Sequence, residues 1–92
     1  MIRSVKGAAT RQVIESGKSK FSGLDARLAR RRLSAFNVAQ KLDDLSRLRS
    51  VGLHKLSGDR SGFWAISVNG RWRIVFRFSA GDAFEVEIVD YH

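Results

Sequence analysis

The chain has 92 residues with no cysteine and no proline, and its 17 Lys and Arg against 9 Asp and Glu leave a formal charge of +8. A chain this short is expected to form one domain that buries roughly 60 to 65% of its unfolded surface, and the lack of cysteine excludes disulfides, thiolate metal sites and cysteine nucleophiles and suits a reducing cytoplasm. No apolar run approaches membrane-spanning length, and the basic start Met1-Ile2-Arg3-Ser4-Val5-Lys6-Gly7 has no apolar segment behind it, so neither a membrane partner nor a secretory signal is expected and the mature chain is taken to begin at Met1.

In chain order, residues 1 to 5 read as a short strand and Ala8 to Ser16 as a helix that Gly17 ends in a left-handed cap. Ser22 then opens a second helix through the capping-box-like spacing Ser22-x-x-Asp25. Ala26, Ala29, Leu33 and Phe36 fall on one face of that helix, and Arg27, Arg30 and Arg31 point the other way. A shorter helical turn follows near Gln40 to Leu45. The basic, glycine-punctuated stretch Leu53-His54-Lys55-Leu56-Ser57-Gly58-Asp59-Arg60-Ser61-Gly62 then leads into the strands and carries one of the two histidines.

From Phe63 onward the apolar period becomes two. Phe63 to Val68 and Arg71 to Phe78 flank Asn69-Gly70, a strong two-residue hairpin signal because both residues tolerate positive φ. That turn sets Val68 opposite Arg71. It pairs Ser67 with Trp72, Ala65 with Ile74 and Phe63 with Phe76 on the side facing the helices, and leaves Trp64, Ile66 and Val68 beside Arg71, Arg73, Val75 and Arg77 on the other. A three-residue loop at Ala80-Gly81-Asp82 returns the chain so that Phe84, Val86 and Ile88 join the core, while Glu85 and Glu87 lie on the arginine side and Val89 opposes Arg73. A four-residue loop would bury both glutamates, at a desolvation cost that argues against it. The expected architecture is α+β, with the N-terminal helices packed on one face of a small, mainly antiparallel sheet.

A charge of +8 concentrates polyanions, which makes nucleic acid the leading partner class. The run Arg27, Arg30, Arg31 reads first as a solvated helix face and second as an RNA or ribosome contact. The sharper signal is where the last strand ends. There Asp90, Tyr91 and His92 arrive next to the strand that carries Arg73, with His54 just ahead of the sheet. The last few residues of a domain are ordinarily frayed, but these residue types suit metal-free RNA cleavage. That reaction needs a base for the ribose 2′-hydroxyl, an acid for the leaving 5′-oxygen and a cation for the phosphoryl oxygens. Imidazole serves either proton role near neutral pH, guanidinium stays charged, and a tyrosine stacks on an unpaired base. Lys55, Arg60, Trp64, Arg71 and Arg77 join Arg27, Arg30 and Arg31 as candidate RNA or ribosome contacts. Two histidines and an acid without close ligand spacing specify no metal site, and nothing here asks for a cofactor.

The Leu53-His54, Gly58-Asp59-Arg60 and Gly62-Phe63-Trp64 segment, the Asn69-Gly70-Arg71-Trp72-Arg73-Ile74 hairpin and the terminal Asp90-Tyr91-His92 together resemble HigB toxins of the RelE superfamily. The resemblance spans essentially the whole chain and is more specific in the sheet half. It implies a microbial RNase-like fold, cleavage of mRNA in the ribosomal A site, and a HigA-type helix-turn-helix antitoxin that contacts operator DNA on the toxin's behalf. It also implies the site residues: His92 and Asp90 as the proton-transfer pair, Arg73 as phosphate stabiliser, Tyr91 as a substrate-positioning group, and His54 as a supporting acid, base or phosphate contact. One position departs from the pattern. Some relatives place a lysine three residues after the loop histidine, where this chain has Ser57, with Lys55 and Arg60 as possible replacements. Two other classes fit the same composition: a non-catalytic RNA-binding inhibitor of ribosome function or assembly, and a protein-interaction module.

Overall fold

Apolar positions spaced for helices in the first half of the chain, and for strands in the second, meet in one core. The computed structural model describes residues 1–46 and 52–90, so the candidate residues Tyr91 and His92 lie outside the described residues. Within them run α1 (Ala8–Ser16), α2 (Ala26–Ala35), α3 (Leu42–Ser46), β1 (His54–Lys55), a short 3-10 turn (Gly58–Arg60), β2 (Trp64–Ser67), β3 (Trp72–Ser79) and β4 (Asp82–Asp90). The strands form an antiparallel sheet in the order β1-β2-β3-β4. Val13, Ala29, Leu33, Phe36 and Leu45 from the helical half bury against Ile66, Val68, Ile74, Phe76, Ala83, Val86 and Ile88 from the sheet. The Phe36 and Phe76 rings meet edge to face with centroids 4.7 Å apart. This is the α+β arrangement expected, with helices on one face.

The helix ends follow their residues. Gly17 closes α1 at φ 75°, as its freedom from a Cβ allows. The start of α2 differs from expectation. Asp25, and not Ser22, is its N-cap, and its carboxylate accepts from the Leu28 amide at 3.0 Å. Ser22 instead offers its carbonyl to the Trp72 indole at 3.1 Å, so the capping-box spacing is used for docking the loop on the sheet.

The central hairpin also departs from the expected register, by one residue. Observed partners are Trp64 with Phe76, Ala65 with Val75, Ile66 with Ile74 and Ser67 with Arg73. The Trp72 amide donates to the Asn69 carbonyl at 2.9 Å, closing the turn over Gly70-Arg71, and the Val68 amide donates to the Trp72 carbonyl at 3.0 Å. Val68 and Asn69 thus both oppose Trp72, and this extra residue turns β2 over. Trp64, Ile66 and Val68 face the helices, while Phe63, Ala65 and Ser67 move to the arginine side. The cause lies in the Asn69 side chain. Its Oδ1 accepts from the Asp25 amide at 2.8 Å and its Nδ2 donates to the Gly23 carbonyl at 2.9 Å, so Asn69 is spent on the α1–α2 loop.

At the second turn the loop is shorter than expected, yet the downstream register is the expected one. Ser79 pairs with Asp82 across Ala80 and Gly81, which have φ 51° and 85°. A bulge then inserts Glu85 at φ 53°. The bulge restores the missing residue, so Val75 meets Glu87 and Arg73 meets Val89 as anticipated, but Phe84 is set opposite Arg77.

The first residues pair in parallel with β4 through the bridges Ile2 with Ala83 and Val5 with Val86, which covers that edge. Where this cover ends, Thr10 of α1 takes over: its buried hydroxyl accepts from the Ile88 amide at 3.0 Å. Thr10→Val keeps the shape and removes the acceptor, leaving a buried amide unpaired. It is expected to lower unfolding stability by about 1–3 kcal/mol, read as a reduced urea midpoint with unchanged slope.

Candidate functional site

The sheet face turned away from the helices is built by alternation. His54 pairs with Ala65, Ala65 with Val75 and Val75 with Glu87, while Ser67 pairs with Arg73 and Arg73 with Val89. Paired residues share a side, so all of these belong to one outer face. Leu56, Ala65 and Val75 are buried there in a small second cluster with Phe63 and Val89, and no residue of α1, α2 or α3 belongs to it. The outer face therefore has its own apolar floor, rimmed by charged side chains.

His54 and Arg73 come together on this face. His54 is exposed, and its Nδ1 lies 3.1 Å from the Gly52 carbonyl. With the proton on Nδ1, that contact is a donated bond and Nε2 is the acceptor nitrogen. Arg73 is two strands away and two residues along, a Cα separation of about 12 Å by strand spacing and rise, which the two side chains and one phosphodiester can span. Arg73 is half-buried, and its Nη1 donates to the Gly70 and Trp72 carbonyls at 2.9 and 3.0 Å. Asp90 pairs with Trp72 at the same end of the sheet and so shares the side of Trp72 and not that of Arg73, and its carboxylate lies 3.6 Å from Arg71 Nε. It is also the residue that leads into Tyr91 and His92.

The arginines of this region differ in one respect. Arg60 has Glu87 at 3.8 Å, Arg71 has Asp90 at 3.6 Å and Arg77 has Glu85 at 2.9 Å, with the Arg77 guanidinium also 4.5 Å from the Phe63 ring centroid. Arg73 has no carboxylate partner among the described residues and is held by backbone carbonyls alone. Those carbonyls occupy one nitrogen, so the rest of the fork remains to present donors to an anion.

The other candidate residues divide by side. Lys55 pairs with Trp64 and shares the helix side of the sheet with it, away from His54. The Trp64 ring packs against the main core and not among the arginines, a consequence of the turned-over strand. Of the two basic residues flanking Ser57, Arg60 is thus the one that reaches the outer face, through Glu87. Arg27, Arg30 and Arg31 lie in the helix layer, lining with Arg3 and Arg11 a groove of about 840 Å³. The inversion of β2 matters most at Ser67, and a serine amid Trp64-Ala65-Ile66 and Val68 is itself a signal for a polar, open face. The second role of Asn69 has no local signal, because its bonds reach residues 44 and 46 positions away.

A family model described as HigB-like toxin, a RelE-like toxin of the type II toxin-antitoxin system HigB, matches residues 10–92. The chain belongs to the HigB-like toxin family. It is 39% identical over 95 residues to an endoribonuclease HigB of Proteus vulgaris, with 100% of each chain covered. A type II toxin has an antitoxin for a partner, and the toxin described here has no helix among its described residues long and apolar enough to cross a membrane.

The Asn69 clamp makes the site dependent on the helix layer. Asn69→Ala deletes both bonds and leaves the Asp25 amide without its acceptor. The expected cost is about 1–3 kcal/mol, with exchange protection of the Trp72 amide reduced beyond that of the β4 amides, as followed by hydrogen exchange.

Proposed function

We propose that this toxin is an endoribonuclease that cleaves mRNA within ribosomal A-site codons by metal-free attack of the ribose 2′-hydroxyl, and that a HigA-type helix-turn-helix antitoxin restrains it and contacts operator DNA. The observation that carries the reading is Arg73: a half-buried guanidinium with no carboxylate partner among the described residues, on the same open sheet face as an imidazole. A cation so placed is suited to the charge that builds on phosphoryl oxygens during the reaction. Family membership, and the endoribonuclease name of the relative from Proteus vulgaris, support the same chemistry.

In this mechanism His92 and Asp90 handle the proton transfers. A base takes the 2′-hydroxyl proton as that oxygen attacks phosphorus, and an acid protonates the departing 5′-oxygen, leaving a cyclic phosphate on the upstream fragment. Arg73 neutralises the phosphoryl oxygens, Tyr91 positions the nucleotide, and His54 supports the proton transfers or contacts phosphate. Arg60, Arg71 and Arg77 on the sheet, with Lys55 on its edge strand, are the nearer RNA contacts, and the core packing of Trp64 removes it from that set. Arg27, Arg30 and Arg31 approach ribosomal RNA from the helix layer. A site with so few groups depends on an external template to hold the 2′-hydroxyl in line, which is the role proposed for the ribosome.

The reading is tested by primer-extension mapping of mRNA on translating ribosomes, with wild type, Arg73→Ala, His92→Ala and a ribosome-free control. Cuts inside A-site codons are expected for wild type only on ribosomes, reduced about 10²- to 10³-fold by Arg73→Ala and lost with His92→Ala. Folded wild-type protein that stalls translation without cutting would instead make it a non-catalytic inhibitor.

A further inference from the structure

Ser67 stands in the middle of the outer face with no task in the fold. Serine is a weak strand former, and this one occupies a central strand. It is half-buried, and its hydroxyl makes no hydrogen bond among the described residues. The oxygen is not among the buried unpaired atoms, so it is open to solvent and free to meet a ligand. Its surroundings are specific. Arg73 is its direct cross-strand partner, and His54 pairs with Ala65, two residues back on the same face of β2. On its remaining side is Gly52, where an added Cβ would come within 3.0 Å of the Ser67 oxygen. Any side chain at that point would press on the hydroxyl, and glycine avoids this.

We infer that the Ser67 hydroxyl donates to the same RNA phosphate group that Arg73 holds. The inference rests on the proposed reading for its ligand, an RNA phosphodiester, and adds a contact residue to that site. The physical case is orientation. One guanidinium supplies charge but allows the phosphate to pivot, and a second donor about 5 Å away across the strand pair fixes a second oxygen. In-line attack requires that fixed geometry. Threonine at this position retains the donor and suits a strand, whereas alanine and valine lack it.

The experiment compares wild type, Ser67→Ala, Ser67→Thr, Ser67→Val, Arg73→Ala and the Ser67→Ala/Arg73→Ala double variant in single-turnover cleavage on programmed ribosomes. Thermal midpoints are measured in parallel, and so is binding of a short single-stranded RNA methylated at every 2′-oxygen, by fluorescence anisotropy. Ser67→Ala and Ser67→Val are expected to cleave about 10- to 100-fold more slowly, and Ser67→Thr within about threefold of wild type. The double variant is expected to lose less than the product of the single losses, because the two side chains serve one group. The Thr and Val variants match in shape, so a difference between them reports the hydroxyl even if Ser67→Ala folds poorly. Cleavage by Ser67→Val equal to that by Ser67→Thr overturns the inference. If wild type does not cleave at all, the enzyme reading fails and the methylated RNA decides the matter. Binding at least about fivefold weaker for Ser67→Val than for Ser67→Thr upholds the phosphate contact, and equal binding, or none by either variant or wild type, overturns it.

Discussion

The outer face exists because Val68 and Asn69 share one partner, Trp72. If the turn were a simple two-residue hairpin at Asn69-Gly70, every side chain of β2 would change sides. Ser67 and Ala65 would face the helices, and Trp64, Ile66 and Val68 would crowd the arginines. That arrangement would expose three large apolar groups and leave a hydroxyl in the core. The doubled position is held by a long-range contact: Asn69 bonds to Gly23 and Asp25, and the Trp72 indole bonds to Ser22 and packs edge to face on Phe21 at 5.1 Å. The loop between two helices thus sets the register of two strands.

This dependence explains what was legible in the chain. The end of α1 and the apolar face of α2 were readable, because Gly17, Ala29, Leu33 and Phe36 act through local geometry and period. The side assignments within β3 were readable for the same reason, with Ile74 and Phe76 inward and Arg73 and Arg77 outward. The register between β2 and β3 was not. An Asn-Gly pair favours a two-residue turn by local preference, and tertiary bonding of the Asn69 side chain overrode it. His54 and Arg73 were singled out by residue type and resemblance, but their common face follows only from the true register. With the expected pairing, the residue beside Arg73 on β2 would not have been Ser67.

The β3–β4 pair shows how an error in local reading can leave the conclusion intact. The turn is one residue shorter than its sequence suggests, and Glu85 gives the residue back as a bulge. A non-glycine residue at φ 53° is uncommon, and it persists here because its surroundings bind it from both sides. Its amide donates to the Ser4 hydroxyl at 2.8 Å, and its carboxylate meets Arg77 at 2.9 Å. The N-terminal segment therefore does more than cover an edge. By holding the bulge it keeps Val89 beside Arg73 and Asp90 beside Trp72.

The charge of +8 is unevenly placed, and the imbalance bears on how an anion would meet the protein. On the sheet side Arg60, Arg71 and Arg77 each sit against a carboxylate, pairs that are part-exposed and add little to stability but cancel much of the local field. The excess lies in the helix layer, where Arg3, Arg11, Arg27, Arg30 and Arg31 line one groove and only Arg3 and Arg11 have ion-pair partners among the described residues. A field from that layer attracts polyanions at a distance and fades with salt over a Debye length of about 8–10 Å. It gives no preference for one phosphate over the next. Arg73 has the converse character: one guanidinium in a nearly balanced surrounding, oriented by two carbonyls and partly withdrawn from water. Such a group contributes little to capture and much to discrimination between correctly and incorrectly placed phosphates, because its interaction is strong only at contact distance. On the proposed reading, capture and chemistry fall to opposite layers of a small protein, with the β3 alternation that turns Arg73 away from the helices separating them.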